Sequence, residues 1–167
     1  MVNIAVISFC YDTVEDRIRL IGNMSNGQPR VDFWLTRNLV LRLLTASGDF
    51  IKSTSDKIDQ VPLEHRSALT QFEHDEAQQI SDIQHEKSVD HSGFACVLLK
   101  RMDISVKDKR YRLAFFVDKA QDPVAVSVLT ETEMHRVLHL IHAGAKHLDW
   151  GGAEYLFQQE QVAMRLQ

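Results

Sequence analysis

"KRYRLAFFVDKAQDPVAVSVLTETEMHRVLHLI" (residues 109–141) decides the fold of this chain. Its opening residues alternate, so Arg110 and Arg112 share one face of an extended segment while Tyr111 and Leu113 share the other. "KAQDP" (119–123) is a turn, set by the fixed φ of Pro123. "VAVSVLT" (124–130) is rich in β-branched residues and reads as a strand. Thr130 then meets Glu133 three residues on, the spacing of a capping box. Met134, Val137, Leu138 and Ile141 follow at helical spacing. That helix is predicted over 131–150, ending before Gly151-Gly152. Upstream, "GFACVLLKRMDISV" (93–106) supplies one more strand, with a bend at Asp103.

The same order is legible near the start. "NIAVISFCY" (3–11) is an apolar strand. "DRIRLIG" (16–22) alternates, with Arg17 and Arg19 on one face and Ile18 and Leu20 on the other. "NMSNGQP" (23–29) is a turn. "RVDFWLT" (30–36) alternates again, and Thr36 can cap a helix over 37–47 that stops near Gly48. Arg17, Arg19 and Leu20 match Arg110, Arg112 and Leu113 at an offset of 93. Pro29, Leu35 and Thr36 match Pro123, Leu129 and Thr130 at an offset of 94. The expected fold is therefore α+β: two pseudo-repeated βββα modules with antiparallel sheets, at 1–50 and 93–150, forming a single domain.

Between them, residues 51–92 form an acidic connector. From Ser53 to Asp90 there are nine acidic and three basic residues. Pro62 can open a helix, and Leu69, Phe72, Glu76, Ile80 and Ile83 recur at spacings of three and four. A long amphipathic helix over 62–84 is predicted, whose narrow stripe suits packing on a core or against a partner helix. After the glycines, 151–167 reads as a short C-terminal helix, with Trp150 as its anchor.

The bulk numbers bound the function. The 167-residue chain has a net charge of −4, which disfavours wholesale binding to nucleic acid or anionic membranes. No run of about 18 apolar residues occurs, and "MVNIAVISFCYD" lacks a basic leader. A cytoplasmic protein with no membrane partner is the expectation. Cys10 and Cys96 sit in apolar runs and read as buried, reduced thiols. There is no glycine-rich phosphate loop, no GxSxG and no CxxC. No cofactor is expected, and the balance leans away from an enzyme.

Three constellations remain. Leu69, Phe72, Ile80 and Ile83 mark an interface for a protein partner or for a second copy in a homodimer. Residues 98–113 hold six basic and two acidic residues, one basic patch in an acidic chain. With Arg17 and Arg19, the residues Lys100, Arg101, Lys109, Arg110 and Arg112 could hold single-stranded DNA or RNA, with Tyr111 as a stacking platform. The bland alternative pairs these arginines with carboxylates across strands, as with Asp16 or Asp32, or with the acidic helix. Third, His135, His139 and His142 lie on one face of the last helix, a spacing that can chelate a metal or simply flank an apolar stripe.

The order of two sheet-plus-helix repeats resembles the PUR and Whirly families, which implies single-stranded nucleic-acid binding. The resemblance is one of architecture, without a residue motif. Those repeats carry four strands before each helix, and three are legible here. The leading functional expectation is a non-catalytic, self-associating protein-interaction module. Nucleic-acid binding by the basic sheet is the alternative, and metal binding by the histidine face the second alternative.

Overall fold

In the computed structural model of the chain, residues 1–24, 27–54, 93–118 and 121–151 are described. The chain is α+β. Its elements are β1 (Val2–Ile4), β2 (Ile7–Asp12), β3 (Arg17–Gly22), β4 (Val31–Leu35), α1 (Arg37–Thr54), β5 (Cys96–Leu98), β6 (Arg101–Lys107), β7 (Arg110–Phe116), β8 (Ala125–Leu129) and α2 (Glu131–His147). Each half thus runs four strands and a helix, where three strands were legible.

The extra strands arise because each first strand crosses to the other half's sheet. One sheet has the order β1-β8-β7-β6 and the other β2-β3-β4-β5. β1 runs parallel to β8, and β5 runs parallel to β4. The sheets are therefore mixed rather than wholly antiparallel. The expected single strand over 3–11 is broken at Ala5-Val6, and the bend in the second half falls at Leu99-Lys100 rather than at Asp103.

Neither break shows a turn residue, and the hydrogen bonds explain why. The Asn23 side chain accepts from the Ala5 N–H at 2.9 Å and donates to the Asn3 carbonyl at 2.8 Å. A side chain distant in sequence does the work of a strand partner at the crossing. Asn23 is itself buried, with φ 60, a conformation asparagine tolerates better than most residues. At the second crossing the backbone switches sheets between consecutive residues. The Leu99 N–H bonds the Trp34 carbonyl at 2.9 Å and the Lys100 N–H bonds the Phe116 carbonyl at 2.8 Å.

One core joins both halves. Ile18, Leu20, Phe33 and Leu35 from one sheet meet Tyr111, Leu113, Phe115 and Leu129 from the other. Phe33 and Phe115 stack with ring centroids 5.5 Å apart and planes 10° from parallel. The helices complete it. α2 buries Met134, Val137, Leu138 and Ile141, its predicted stripe, and packs on β2 and β3 as well as β7 and β8. Gly144 lies where that packing is closest, since an added Cβ would stand 2.5 Å from the Tyr11 ring.

Helix ends differ from expectation in two places. The Thr130–Glu133 capping box forms, but α2 stops at His147 with Leu148 as its C-cap, before the glycine pair. Thr36 caps α1 as expected, accepting from the Leu39 N–H at 3.4 Å. α1 then continues through Gly48 to Thr54, because one glycine costs a helix interior only about 1 kcal/mol. Trp150 is buried, and its indole N–H donates to Asp16 Oδ1 at 2.7 Å. The connector helix over 62–84 and the helix after 151 lie outside the described residues.

Candidate nucleic-acid interface

Both sheets turn one face inward to the core, so the polar side chains of alternating strands collect on two outer faces. The two faces treat their arginines differently.

On the β2-β3-β4-β5 sheet the arginines are paired off. Register places Cys10, Arg19, Trp34 and Leu98 in one cross-strand row, and Ser8, Ile21, Asp32 and Cys96 in the next. Arg19 donates to Asp32 Oδ2 through Nε at 2.9 Å and Nη2 at 2.6 Å. Arg30 donates to Asp32 Oδ1 and Oδ2, both at 2.7 Å. The carboxylate is almost fully enclosed. Burial pushes its pKa up, but the hydrogen bonds from Arg30 and then Arg19 outweigh this and hold it below the usual aspartate value. The guanidiniums are also layered on rings: Arg30 lies 3.6 Å from the Phe94 centroid and Arg19 5.5 Å from that of Trp34. Arg17 is half-buried and reaches Glu15 at 4.0 Å.

The cysteines belong to this face. β2 and β5 are its two edge strands, so Cys10 and Cys96, three strand spacings and one row apart, stand more than about 14 Å from each other and cannot form a disulfide. Burial raises the pKa of both thiols, that of Cys96 to about 11. Each stays protonated at neutral pH and is a poor nucleophile.

The outer face of the β1-β8-β7-β6 sheet is divided. One end is closed: Ala114, Phe116 and Val126 form a second, small buried cluster, with the Arg101 guanidinium 3.8 Å from the Phe116 centroid. The other end is open and basic. Asp108 and Lys109 both have positive φ, the two-residue turn that closes β6 onto β7. That turn sets Lys107 opposite Arg110, and Ser105 opposite Arg112. Arg112 in turn stands opposite Val128, which is 53% exposed. Lys107, Arg110 and Arg112 are all exposed and form no ion pair among the described residues.

The sequence-predicted site residues therefore separate. Arg110 and Arg112 lie together on the open face, with Lys109 in the adjoining turn and Lys100 and Arg101 towards its closed end. Arg19 is enclosed on the other sheet, and Arg17 is half-buried there. Tyr111 faces the core at 3% exposure and presents no ring to a ligand. Lys107, one of the six basic residues of 98–113, joins the expected contact residues on this face. Its signal was the two-residue turn, which makes residues 107 and 110 direct neighbours. His135 is buried, while His139 and His142 are half-buried. Among the described residues no group of three or more His, Cys, Asp or Glu side chains is placed to hold a metal ion. Leu69, Phe72, Ile80 and Ile83 lie outside the described residues. No described helix is long and apolar enough to cross a membrane.

Comparison with protein-family models, with curated proteins and with solved structures gives no match.

Proposed function

We propose that this protein is a non-catalytic binding module that holds single-stranded nucleic acid by its phosphates on the open end of the β1-β8-β7-β6 face. The observation that carries the reading is the contrast between the two sheets. Arg19 and Arg30 are consumed by one buried carboxylate, whereas Lys107, Arg110 and Arg112 stand exposed on a regular sheet without an ion pair among the described residues. Arg110 and Arg112 are two residues apart on one strand face, roughly 7 Å, so they can serve successive phosphates of an extended strand.

The reading concerns the backbone of the ligand rather than its bases. Tyr111, Phe115 and Phe33 are in the core, and among the described residues the open end offers only Val128 as an apolar surface. Affinity should come from counterion release, be weakly sequence-dependent and fall steeply with salt. Four strands before each helix also remove the departure from the PUR and Whirly element order noted above. That likeness is of order alone and carries no function by itself.

Fluorescence polarisation with a labelled single-stranded oligonucleotide at low salt tests the proposal. Arg110→Glu plus Arg112→Glu should abolish binding, and Arg17→Glu on the other sheet should leave it nearly unchanged. No binding by the wild-type protein, or equal binding by the double variant, refutes it.

A further inference from the structure

β6 ends its sheet and is exposed along most of its length. The two-residue turn after it fixes which backbone groups point outward. Lys107 and Arg110 exchange both main-chain hydrogen bonds, and the exchange recurs at every second residue through Ser105–Arg112 and Asp103–Ala114. The N–H and C=O groups of Met102, Ile104 and Val106 therefore aim away from β7, and no hydrogen bond among the described residues reaches them from that side. An edge of this kind is a template for another strand.

Charged side chains usually blunt such an edge. Here their order does the opposite. Asp103, Ser105 and Lys107 share the outer face of β6, with opposite charges flanking Ser105. In an antiparallel copy of the same strand with a two-fold axis at Ser105, Asp103 meets Lys107 of the second copy, and Lys107 meets its Asp103. Ile104 and Val106 of each copy then exchange main-chain hydrogen bonds with Val106 and Ile104 of the other. Moving the axis to Ile104 instead sets Arg101 against Lys107 twice, and moving it to Asp103 sets that carboxylate against itself. Opposite charges directly across a strand pair are favourable and like charges unfavourable. Asp103 already meets Arg101 at 3.2 Å, but both side chains are about half exposed, so that contact yields readily to re-pairing.

We infer that β6 is a self-recognition edge: a second copy of this chain pairs with it antiparallel about Ser105, joining two four-stranded sheets into one of eight. The inference stands apart from nucleic-acid binding. It does place the Arg112–Ser105 row of one copy in line with the Ser105–Arg112 row of the other, with the Lys107–Arg110 end of each copy beside the Asp103–Ala114 end of its partner.

Light scattering over a concentration series of the full chain tests it. The wild-type protein should be dimeric, and Asp103→Lys or Lys107→Asp alone should weaken the dimer at least tenfold. The double variant D103K/K107D, which restores both pairs with reversed polarity, should recover it. Both positions are exposed, so circular dichroism should be unchanged throughout. Ser105→Cys in the otherwise wild-type chain should give, under mild oxidation, a covalent dimer whose cross-link maps by mass spectrometry to position 105. A strict monomer, or a dimer indifferent to the single charge reversals, overturns the inference. So does failure of the Ser105→Cys variant to cross-link at that position.

Discussion

The Tyr11 hydroxyl donates to the main-chain carbonyl of Leu140 at 2.6 Å, tying an edge strand of the first half to the helix of the second. Its ring rests against Gly144, one helical turn further along. Burial raises the phenol pKa to about 12. The neutral form is thus favoured by folding. The contribution is fully present below pH 10, the unfolded value, and is lost as pH rises towards 12. Tyr11→Phe should cost about 1 kcal/mol at pH 7 and flatten the alkaline loss of stability between pH 10 and 12, read from urea midpoints.

Gly144→Ala should cost more. A methyl group there would meet the Tyr11 ring and the Ile18 side chain at 2.5–2.8 Å, and both neighbours are held in the core. Overpacking of this kind costs about 1–3 kcal/mol. Combining it with Tyr11→Leu, which removes the ring, should recover part of the loss. Additive losses in the pair would show that the glycine serves another purpose.

Asp32 is the most consequential carboxylate in the described structure, because two arginines converge on it. Asp32→Asn leaves Arg19 and Arg30 without their counter-charge and should destabilise by about 3–5 kcal/mol in urea unfolding. Its pKa is depressed, so its contribution is present above the unfolded value near 4 and is lost as pH falls through the lower folded value. The wild-type protein should lose stability between neutral pH and pH 3 more steeply than Asp32→Asn does. The half-exposed Arg17–Glu15 contact is a useful control, since Arg17→Gln should change stability by less than about 1 kcal/mol.

Asn23 links sequence and topology. Asn23→Ala removes the bonds to Ala5 and Asn3 and leaves a non-glycine residue at φ 60. The expected loss is about 3 kcal/mol, from unsatisfied main-chain groups and backbone strain together. Asn23→Gly keeps the backbone at ease and should recover the strain portion only.

These residues also show what was legible in the chain. Alternation in "RIRL" and "RYRL" gave the strand faces correctly, since inward Ile18, Leu20, Tyr111 and Leu113 are all buried. The capping box at Thr130 placed the start of α2 to the residue. The first strand of each half was not legible as a separate strand. The first crossing lies inside an apolar run and the second passes straight from Leu98-Leu99 into Lys100-Arg101, and at each the backbone is satisfied by distant partners instead of by a local turn. Asn23 looked like a turn residue, and its second role depends on a fold that periodicity does not reveal. The fate of the arginines was equally hidden. Alternation places Arg19 and Arg112 alike, and the presence of Asp32 and Arg30 in one sheet, with no counterpart among the described residues of the other, separates them.

The most direct test of the central proposal is the salt dependence of oligonucleotide binding, measured for the wild-type protein and for Arg110→Gln plus Arg112→Gln. Each phosphate contact to a single strand contributes about 0.7 to the slope of log affinity against log salt. The account predicts a linear wild-type plot and a double variant shallower by about 1.4. An unchanged slope, or affinity independent of salt, would contradict it.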